Sequence, residues 1–311
     1  MTGNLISDRP ASISLLRILA MVIFGYIIMG NVVALLVISL LYPSNLMDVG
    51  DPVGHPEIRN YLVLAQGLAS LVGLVLIPAW YLSVFEKRST RTLFTALPEV
   101  RWAGILTLFI IALAIAISPV ADWNANMELP TWTGGLGEAM KSFEEQAAAL
   151  VKAFVSDLTP ATFLLVFIVI AVIPAWGEEL VFRGLIQNEL RRIFRNPHVG
   201  IWLAAAFFSA FHLQFFGFLP RLLIGASLGY LYYWSGNLWM PVIGHFLNNG
   251  LQVTAIYLAQ LKVHSFDVES TESAPWPLVA VSLLVLAGLL YYCKTNMNPT
   301  SRDRDVPPAI Q

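Results

Sequence analysis

The chain has 311 residues, of which 57% are hydrophobic and only 12% are charged, and its net charge is −2. Soluble domains carry about 25% charged residues, so this chain has too little polar surface to cover a water-soluble globule. The composition indicates an all-α, polytopic transmembrane helix bundle in a lipid bilayer, and the near-neutral charge gives no sign of a nucleic-acid partner. The single cysteine, Cys293, excludes an internal disulfide and a cysteine-based metal cluster.

Long apolar runs predict about eight membrane helices. About twenty apolar residues cross the hydrocarbon of a bilayer, and most of the runs reach that length. The first run is too long for the core of a cleavable signal peptide, so it is interpreted as a membrane helix. The predicted spans cover residues 13–41, 61–85, 102–120, 161–187, 199–216, 219–234, 238–261 and 276–293.

Lysine and arginine indicate the orientation of these spans. With the N-terminus in the cytoplasm, most of the 18 basic residues fall in cytoplasmic segments, which agrees with the positive-inside rule. We therefore expect both termini in the cytoplasm. The compact chain suggests an integral, multi-pass protein of a prokaryotic plasma membrane.

The longest loop, residues 121–160, contains a predicted amphipathic helix. Its apolar side chains recur every three or four residues, at Leu136, Met140, Phe143, Ala147, Leu150 and Phe154. The charged residues lie mostly off that face, at Glu138, Lys141, Glu144, Glu145 and Lys152. Such a helix lies at the membrane interface, where it either packs on the outer surface of the bundle or gates the access of a substrate.

The chain divides into four predicted segments. Residues 1–160 hold three membrane helices and the amphipathic helix, and residues 161–261 form a core of helices with polar motifs. Residues 262–295 contain the final membrane helix, and the proline-bearing tail 296–311 is predicted to be disordered in the cytoplasm. Within the core, Gly225 and Gly229 form a small-residue step that allows two helices to approach closely.

Three charged residues interrupt the fourth predicted span: Glu178, Glu179 and Arg183. A charge at the centre of a membrane helix costs at least about 2.5 to 3.5 kcal/mol, so such residues usually face a bundle interior and have a function. Glu179 and Arg183 are four residues apart and in the favourable order for an ion pair. Glu178 has no cation at that spacing, which leaves it available as a proton acceptor.

Two further polar pairs lie one helical turn apart in other spans. Phe208 and His212 share a face of the fifth span, and His245 and Asn249 share a face of the seventh. A single histidine in an apolar helix is more often a satisfied core residue than a functional one. Two histidines, an asparagine and the glutamate–arginine set together indicate a reactive site, because packing alone does not require all of them.

In this order the three motifs resemble those of the CaaX protease and bacteriocin-processing family of intramembrane endopeptidases, also called CPBP or Abi proteins. The family pattern is Glu-Glu-x-x-x-Arg, then Phe-x-x-x-His, then His-x-x-x-Asn. The family includes the type II CaaX prenyl endopeptidase. The residues that match are Glu178, Glu179, Arg183, Phe208, His212, His245 and Asn249. The resemblance covers about residues 165–255.

The resemblance implies an intramembrane endopeptidase that acts on a peptide or protein substrate, which in the prenyl-processing members is lipid-modified. Glu178 would be the general base, and His212 would hold and polarise the water. His245 and Asn249 would form an oxyanion hole, while Glu179, Arg183 and Phe208 support the site. We favour this reaction without a cofactor; the alternative is zinc held by Glu178, His212 and His245, since glutamate and histidine are also zinc ligands.

Two other functions remain open from the residues alone. A non-enzymatic immunity or scaffold protein could keep the same fold, although it has no need of Glu178, His212, His245 and Asn249 together. A proton-coupled transporter could use a relay of glutamate and histidine, but it predicts inverted repeats, which the sequence does not clearly contain.

Overall fold

The computed structural model describes residues 10–42, 58–87, 89–264 and 272–297. These residues form nine helices, and none of them lies in a β-strand, which confirms the predicted all-α bundle. The helices are α1 (Ala11–Leu41), α2 (Arg59–Val84), α3 (Arg101–Ala125), α4 (Gly135–Val155), α5 (Pro160–Phe194), α6 (Pro197–Phe211), α7 (Phe218–Ser235), α8 (Trp239–Gln260) and α9 (Trp276–Asn296).

Six of these helices are long and apolar enough to cross a membrane: α1, α2, α3, α5, α9, and α7 together with the turn before it. The chain is therefore an integral, multi-pass membrane protein. The other two predicted spans correspond to α6, which has only 15 residues, and to α8, which has 22 residues but carries the polar side chains of the third motif. The total of eight spans and the cytoplasmic side of both termini stay predictions, as does the prokaryotic plasma membrane.

Local capping fixes the ends of the helices that carry the motifs. Thr159 caps the first turn of α5, and Pro160 occupies the first helical position, where no backbone N–H is needed. Arg195 is left-handed, with φ of 51°, and stops α5; the side chain of Asn196 then caps α6. Gly236, also left-handed, ends α7. Because these connections are short, α5 to α8 follow one another closely and bring their polar faces together.

α5 is the longest helix of the core, and its helical winding is irregular around the charged residues. Wider π-type turns run over Ile168–Val172 and Leu180–Gln187, and the segment between them contains Pro174 and both glutamates. Such turns are frequent at functional sites because they alter the direction of side chains. Gly177 lets α5 lie directly against α2, since a Cβ there would stand 2.7 Å from Leu74 Cβ.

α6 and α7 form a helical hairpin that packs closely at two glycines. A Cβ at Gly225 would lie 3.1 Å from a ring carbon of Phe208, and a Cβ at Gly229 would lie 2.9 Å from Cγ2 of Ile201. The small-residue step predicted from these glycines therefore does allow close helix approach.

The hairpin turns through residues 212–217, called the His212 loop below. α6 ends one residue before His212, so this histidine lies at a helix end and not inside a span as predicted. The buried side chain of Asn124, near the end of α3, fastens the loop: its Nδ2 donates to the carbonyl of Phe215 (3.2 Å) and its Oδ1 accepts from the N–H of Leu219 (2.8 Å).

α4 is the amphipathic helix predicted in loop 121–160, but its inward face differs from the predicted one. The stripe that turns towards the bundle consists of Gly137, Met140, Glu144, Ala147, Leu150 and Phe154. Leu136 and Phe143, predicted on the apolar face, are 66% and 58% exposed. Glu144 was predicted off that face and is instead partly buried, because it accepts hydrogen bonds from the His212 loop.

α9 is the predicted final membrane helix, and it packs against α3. Its cysteine, Cys293, is buried, in keeping with the interpretation of this residue as a small hydrophobe. The predicted disordered tail lies outside the described residues from position 298 onwards. The division of the chain into four segments stays a prediction.

Candidate functional site

Glu179 and Arg183 form a buried ion pair one turn apart on α5. Nη1 of Arg183 lies 2.6 Å from Oε1 of Glu179, and neither side chain is more than 1% exposed. Nη2 of Arg183 also donates to the backbone carbonyl of Gly225 on α7, at 2.8 Å. The predicted pairing of Glu179 with Arg183 is confirmed, and it links α5 to α7.

Glu179 has a second partner that the sequence analysis missed. Nδ1 of His245, on α8, lies 2.7 Å from the same oxygen of Glu179, and His245 is only 4% exposed. Because a carboxylate oxygen accepts, Nδ1 of this histidine carries the proton in this hydrogen bond. Glu179 therefore fixes the orientation of the His245 ring, much as outer-shell carboxylates orient histidines in other sites.

Glu178 has a different environment from its neighbour. In the described part of the chain it has no ion pair with lysine or arginine, and its Oε2 lies 3.8 Å from Nε2 of His245. That separation is too long for a direct hydrogen bond and is compatible with a bridging water. Glu178 also interacts electrostatically with His212, Arg221 and Tyr26.

One ring nitrogen of His212 is engaged by the backbone of its own helix. Its Nδ1 lies 2.9 Å from the backbone carbonyl of Phe208, and a carbonyl only accepts, so Nδ1 carries the proton and donates. His245 has its Nδ1 engaged in the same way by Glu179. In both histidines Nε2 is therefore the nitrogen left to contact a substrate or a water.

Phe208 packs among the charged and histidine side chains. Its ring centroid lies 5.1 Å from that of His212 and 5.8 Å from that of His245, in edge-to-face arrangements. The guanidinium carbon of Arg183 lies 4.7 Å from the same ring. Phe208 thus packs against both histidines and contributes a cation–π contact to Arg183.

Asn249 lies one turn beyond His245 on α8, at the edge of the cluster. Its Nδ2 donates to the backbone carbonyl of Ile170 on α5 (2.9 Å), and its Oδ1 accepts from the amide of Asn248 (3.0 Å). An amide nitrogen has two protons, so one N–H of Asn249 remains available. No hydrogen bond of Asn249 to Glu178 or His212 occurs among the described residues.

Five of the predicted site residues therefore lie together, four of them buried and His212 partly buried. They are called the polar centre below: Glu178, Glu179, Arg183, His212 and His245. Two further residues approach it that the sequence analysis missed. The ring of Tyr26, on α1, lies 5.0 Å from that of Phe211 in a tilted arrangement, and its hydroxyl accepts from Gln66. Arg221, on α7, bonds Gln214 of the His212 loop and interacts electrostatically with Glu178. A lone tyrosine in an apolar helix and an arginine near a loop carry no motif, so no sequence signal identified them.

The donor set does not fit the alternative zinc site as it stands. Among the described residues, no group of three or more His, Cys, Asp or Glu side chains is arranged to hold a metal ion. Glu178 and His245 approach to 3.8 Å, whereas a catalytic zinc site commonly has three protein ligands, so the zinc alternative stays a prediction. No chemical step below depends on a metal.

A curated protein and a protein family are similar to this chain. Uncharacterized protein YpbD of Bacillus subtilis (strain 168) is 30% identical over 109 residues, which is 32% of this chain and 50% of the relative. The chain thus spans about half the length of the curated relative it matches, and no solved structure matches it significantly. Residues 160–251 match the family described as type II CAAX prenyl endopeptidase Rce1-like, and that range includes all seven motif residues. The chain therefore carries an Rce1-like segment over residues 160–251, and the family resemblance drawn from its motifs is confirmed.

Proposed function

We propose that this protein is an intramembrane endopeptidase that hydrolyses a peptide bond of a membrane-associated substrate. The observation that carries the proposal is the unequal pair of neighbouring glutamates. Glu179 is bonded to Arg183 and His245, whereas Glu178 lies beside the free ring nitrogen of His245 and within electrostatic range of His212. A carboxylate that forms no ion pair with lysine or arginine among the described residues, near two oriented histidines, suits the activation of water.

In the proposed reaction Glu178 is the general base. It accepts a proton from water while the water oxygen attacks the carbonyl carbon of the scissile peptide. His212 holds the water through Nε2, the nitrogen that Phe208 leaves unengaged. When the tetrahedral intermediate collapses, the C–N bond breaks and the proton held by Glu178 passes to the leaving nitrogen.

The oxyanion of that intermediate is bound by donors on α8. His245 donates from Nε2, which requires that both ring nitrogens carry a proton at this step, and its Nδ1 bond to Glu179 holds the ring in place. Asn249 donates the amide proton that is not used by Ile170. Donors aimed at a developing charge can each contribute about 2.7 to 4 kcal/mol to the reduction of the barrier.

The substrate class follows from the location of the polar centre and from the family match. The site lies within helices of a multi-pass membrane protein, so the substrate must reach it from the bilayer or from its surface. The family description names a prenyl endopeptidase, and we extend this to the proposal that the substrate is cleaved near its C-terminus and is lipid-modified.

Proteolysis by purified full-length protein tests the proposal. Wild type and Glu178→Gln, each in detergent, are incubated with a peptide library derived from membrane proteins in water enriched in ¹⁸O. Mass spectrometry then identifies new termini. We expect new C-termini carrying one ¹⁸O atom with the wild type and none with Glu178→Gln.

A matched control is Glu145→Gln, which removes an exposed carboxylate of α4. This variant should cleave like the wild type. Equal cleavage by wild type and Glu178→Gln would remove the catalytic assignment, and a wild type without any cleavage would favour a non-enzymatic protein of the same fold. Comparison of C-termini in cells that express either form extends the test to native substrates.

A further inference from the structure

α4 and the His212 loop enclose an open cavity of about 990 Å³. Its walls come from the end of α3, the connection to α4, the first half of α4 and the beginning of α7. Four carboxylates line it, together with Lys141 and Arg221. The cavity adjoins the His212 loop, because Phe216 and Gly217 line it and Arg221 bonds Gln214 of that loop.

α4 is held firmly at its C-terminal end. Phe154 and Val155 are buried there, at 5% and 3% exposure. The side chain of Gln260, on α8, donates to the carbonyl of Val155 and accepts from the N–H of Leu158, and Arg59 donates to the carbonyl of Ser156. The first half of the helix lines the cavity, and its apolar residues Leu136 and Phe143 are exposed.

Glu144 connects this first half with the His212 loop. Its Oε2 accepts from the backbone N–H of Phe216 (3.1 Å), and its Oε1 accepts from the side-chain amide of Gln214 (3.3 Å). Gln214 in turn accepts two hydrogen bonds from Arg221, one at its carbonyl (3.2 Å) and one at its side-chain oxygen (2.5 Å). Both carboxylate oxygens of Glu144 thus accept hydrogen bonds from the His212 loop.

We propose that Glu144 is a positioning residue for His212. It acts through the loop backbone and does not contact the reacting atoms. The loop has only one short 3₁₀ turn, and Leu213, next to His212, has a φ of 54°, a conformation that non-glycine residues rarely adopt without support. Because Nε2 of His212 must meet the water held by Glu178, a small displacement of the loop moves it out of reach. α4 thereby becomes a part of the catalytic geometry.

This inference rests on the proposed function and is tested on a fluorogenic peptide built on the cleavage site that the library digestion returns. Glu144→Ala in the full-length protein should lower kcat by about 10- to 100-fold and change KM by no more than about twofold, since misplacement of a catalytic group by about 1 Å can cost that much. Glu145→Ala, on the adjacent exposed residue that lines the same cavity, should leave both constants unchanged.

Two conservative variants separate positioning from folding. Glu144→Asp keeps the charge but is one methylene too short to reach Phe216, so it should lose kcat as the alanine variant does. Glu144→Gln keeps an acceptor oxygen at the same reach and should recover about tenfold over alanine, as expected for one retained hydrogen bond. These two variants decide the question even if Glu144→Ala does not fold, which thermal unfolding will show.

Wild-type kcat in Glu144→Asp, a loss confined to KM, or an equal loss in Glu145→Ala would each overturn the inference. The failure of the inference is distinguishable from that of the proposed function. If Glu178→Gln cleaves normally, the function is wrong; if Glu178→Gln is inactive while Glu144→Asp is fully active, only the positioning role is wrong.

Discussion

Two pairs of adjacent glutamates lie on two helices of this protein, and the environments of the pairs differ. On α5, Glu179 is completely buried and bonded to Arg183 and His245, while Glu178 faces the free nitrogen of His245. On α4, Glu144 is partly buried and bonded to the His212 loop, while Glu145 is exposed and lines the large cavity. In each pair one carboxylate maintains structure and the other is left unbonded.

The difference between the pairs lies in what the unbonded member can do. The free carboxylate of Glu178 is buried beside two histidines, where the local dielectric is low and charges act strongly. The carboxylate of Glu145 is in contact with solvent, which screens it. The same residue type is therefore weakly screened in α5, where we propose that it is the general base, and strongly screened in α4. Variants of the two pairs test that contrast, from the largest expected effect to the smallest.

The largest effect is expected for Glu178→Gln. Loss of a general base lowers turnover by about 10²- to 10⁴-fold, and a neutral amide of the same shape should not reduce the thermal stability. Turnover of the chosen peptide and thermal unfolding in detergent measure the two properties. Turnover in Glu145→Gln that falls as far as in Glu178→Gln would contradict the contrast.

Glu179→Ala should destabilise the protein by about 3 to 5 kcal/mol, because it leaves Arg183 as an uncompensated buried charge. The readouts are the yield of folded protein and the midpoint of thermal unfolding. Glu179→Met combined with Arg183→Met should recover much of that stability, since it removes both charges. Normal stability of the single variant would mean that the buried pair has no structural role.

Asn249→Ala should lower kcat by about 10²- to 10³-fold with little change in KM, as expected when an oxyanion donor is removed. The measurement is steady-state kinetics on the same peptide. Asn248→Ala removes the neighbouring amide that donates to Asn249, and it should have a much weaker effect. A loss expressed mainly in KM would argue against an oxyanion role for Asn249.

A smaller effect is expected from Gly229→Ala. The added Cβ would lie 2.8 Å from Oε1 of Gln187 and 2.9 Å from Ile201, so overpacking should cost about 1 to 3 kcal/mol of stability. Gly288→Ala on α9 is the matched control, because no atom lies within 4 Å of the added Cβ. Equal unfolding midpoints for the two variants would show that a larger distance between α6 and α7 does not destabilise the protein.

The smallest effect is expected from strong chelation. We predict that activity of the purified protein survives prolonged treatment with a zinc chelator, and that metal analysis finds less than one equivalent of zinc. Loss of activity on chelation and its return with added zinc would instead support the alternative with Glu178, His212 and His245 as ligands.

The sequence predicted those features of the site that are local along the chain. Glu179 and Arg183 are one helical turn apart, so their pairing followed from helix geometry. The sequence also predicted the small-residue step at Gly225 and Gly229 and the all-α architecture, because both depend on the pattern of small and apolar residues.

The features that could not be predicted depend on contacts between distant parts of the chain. Nothing in the spacing indicates that His245 shares an oxygen of Glu179, because that bond depends on how α8 docks on α5. Glu144 was assigned to the outer face of its helix because charge alone suggests exposure, and only the position of the His212 loop reverses that assignment. The early end of α6 likewise depends on how the chain turns into α7.

The bond between His245 and Glu179 has a consequence for biosynthesis. The two residues are 66 positions apart, so the ribosome completes α5 long before α8 leaves the exit tunnel. Until α8 has inserted beside α5, Glu179 lacks its histidine partner and Glu178 lacks the nearby ring of His245. The proposed hydrolysis therefore requires both segments, and a nascent chain that ends before α8 should lack it.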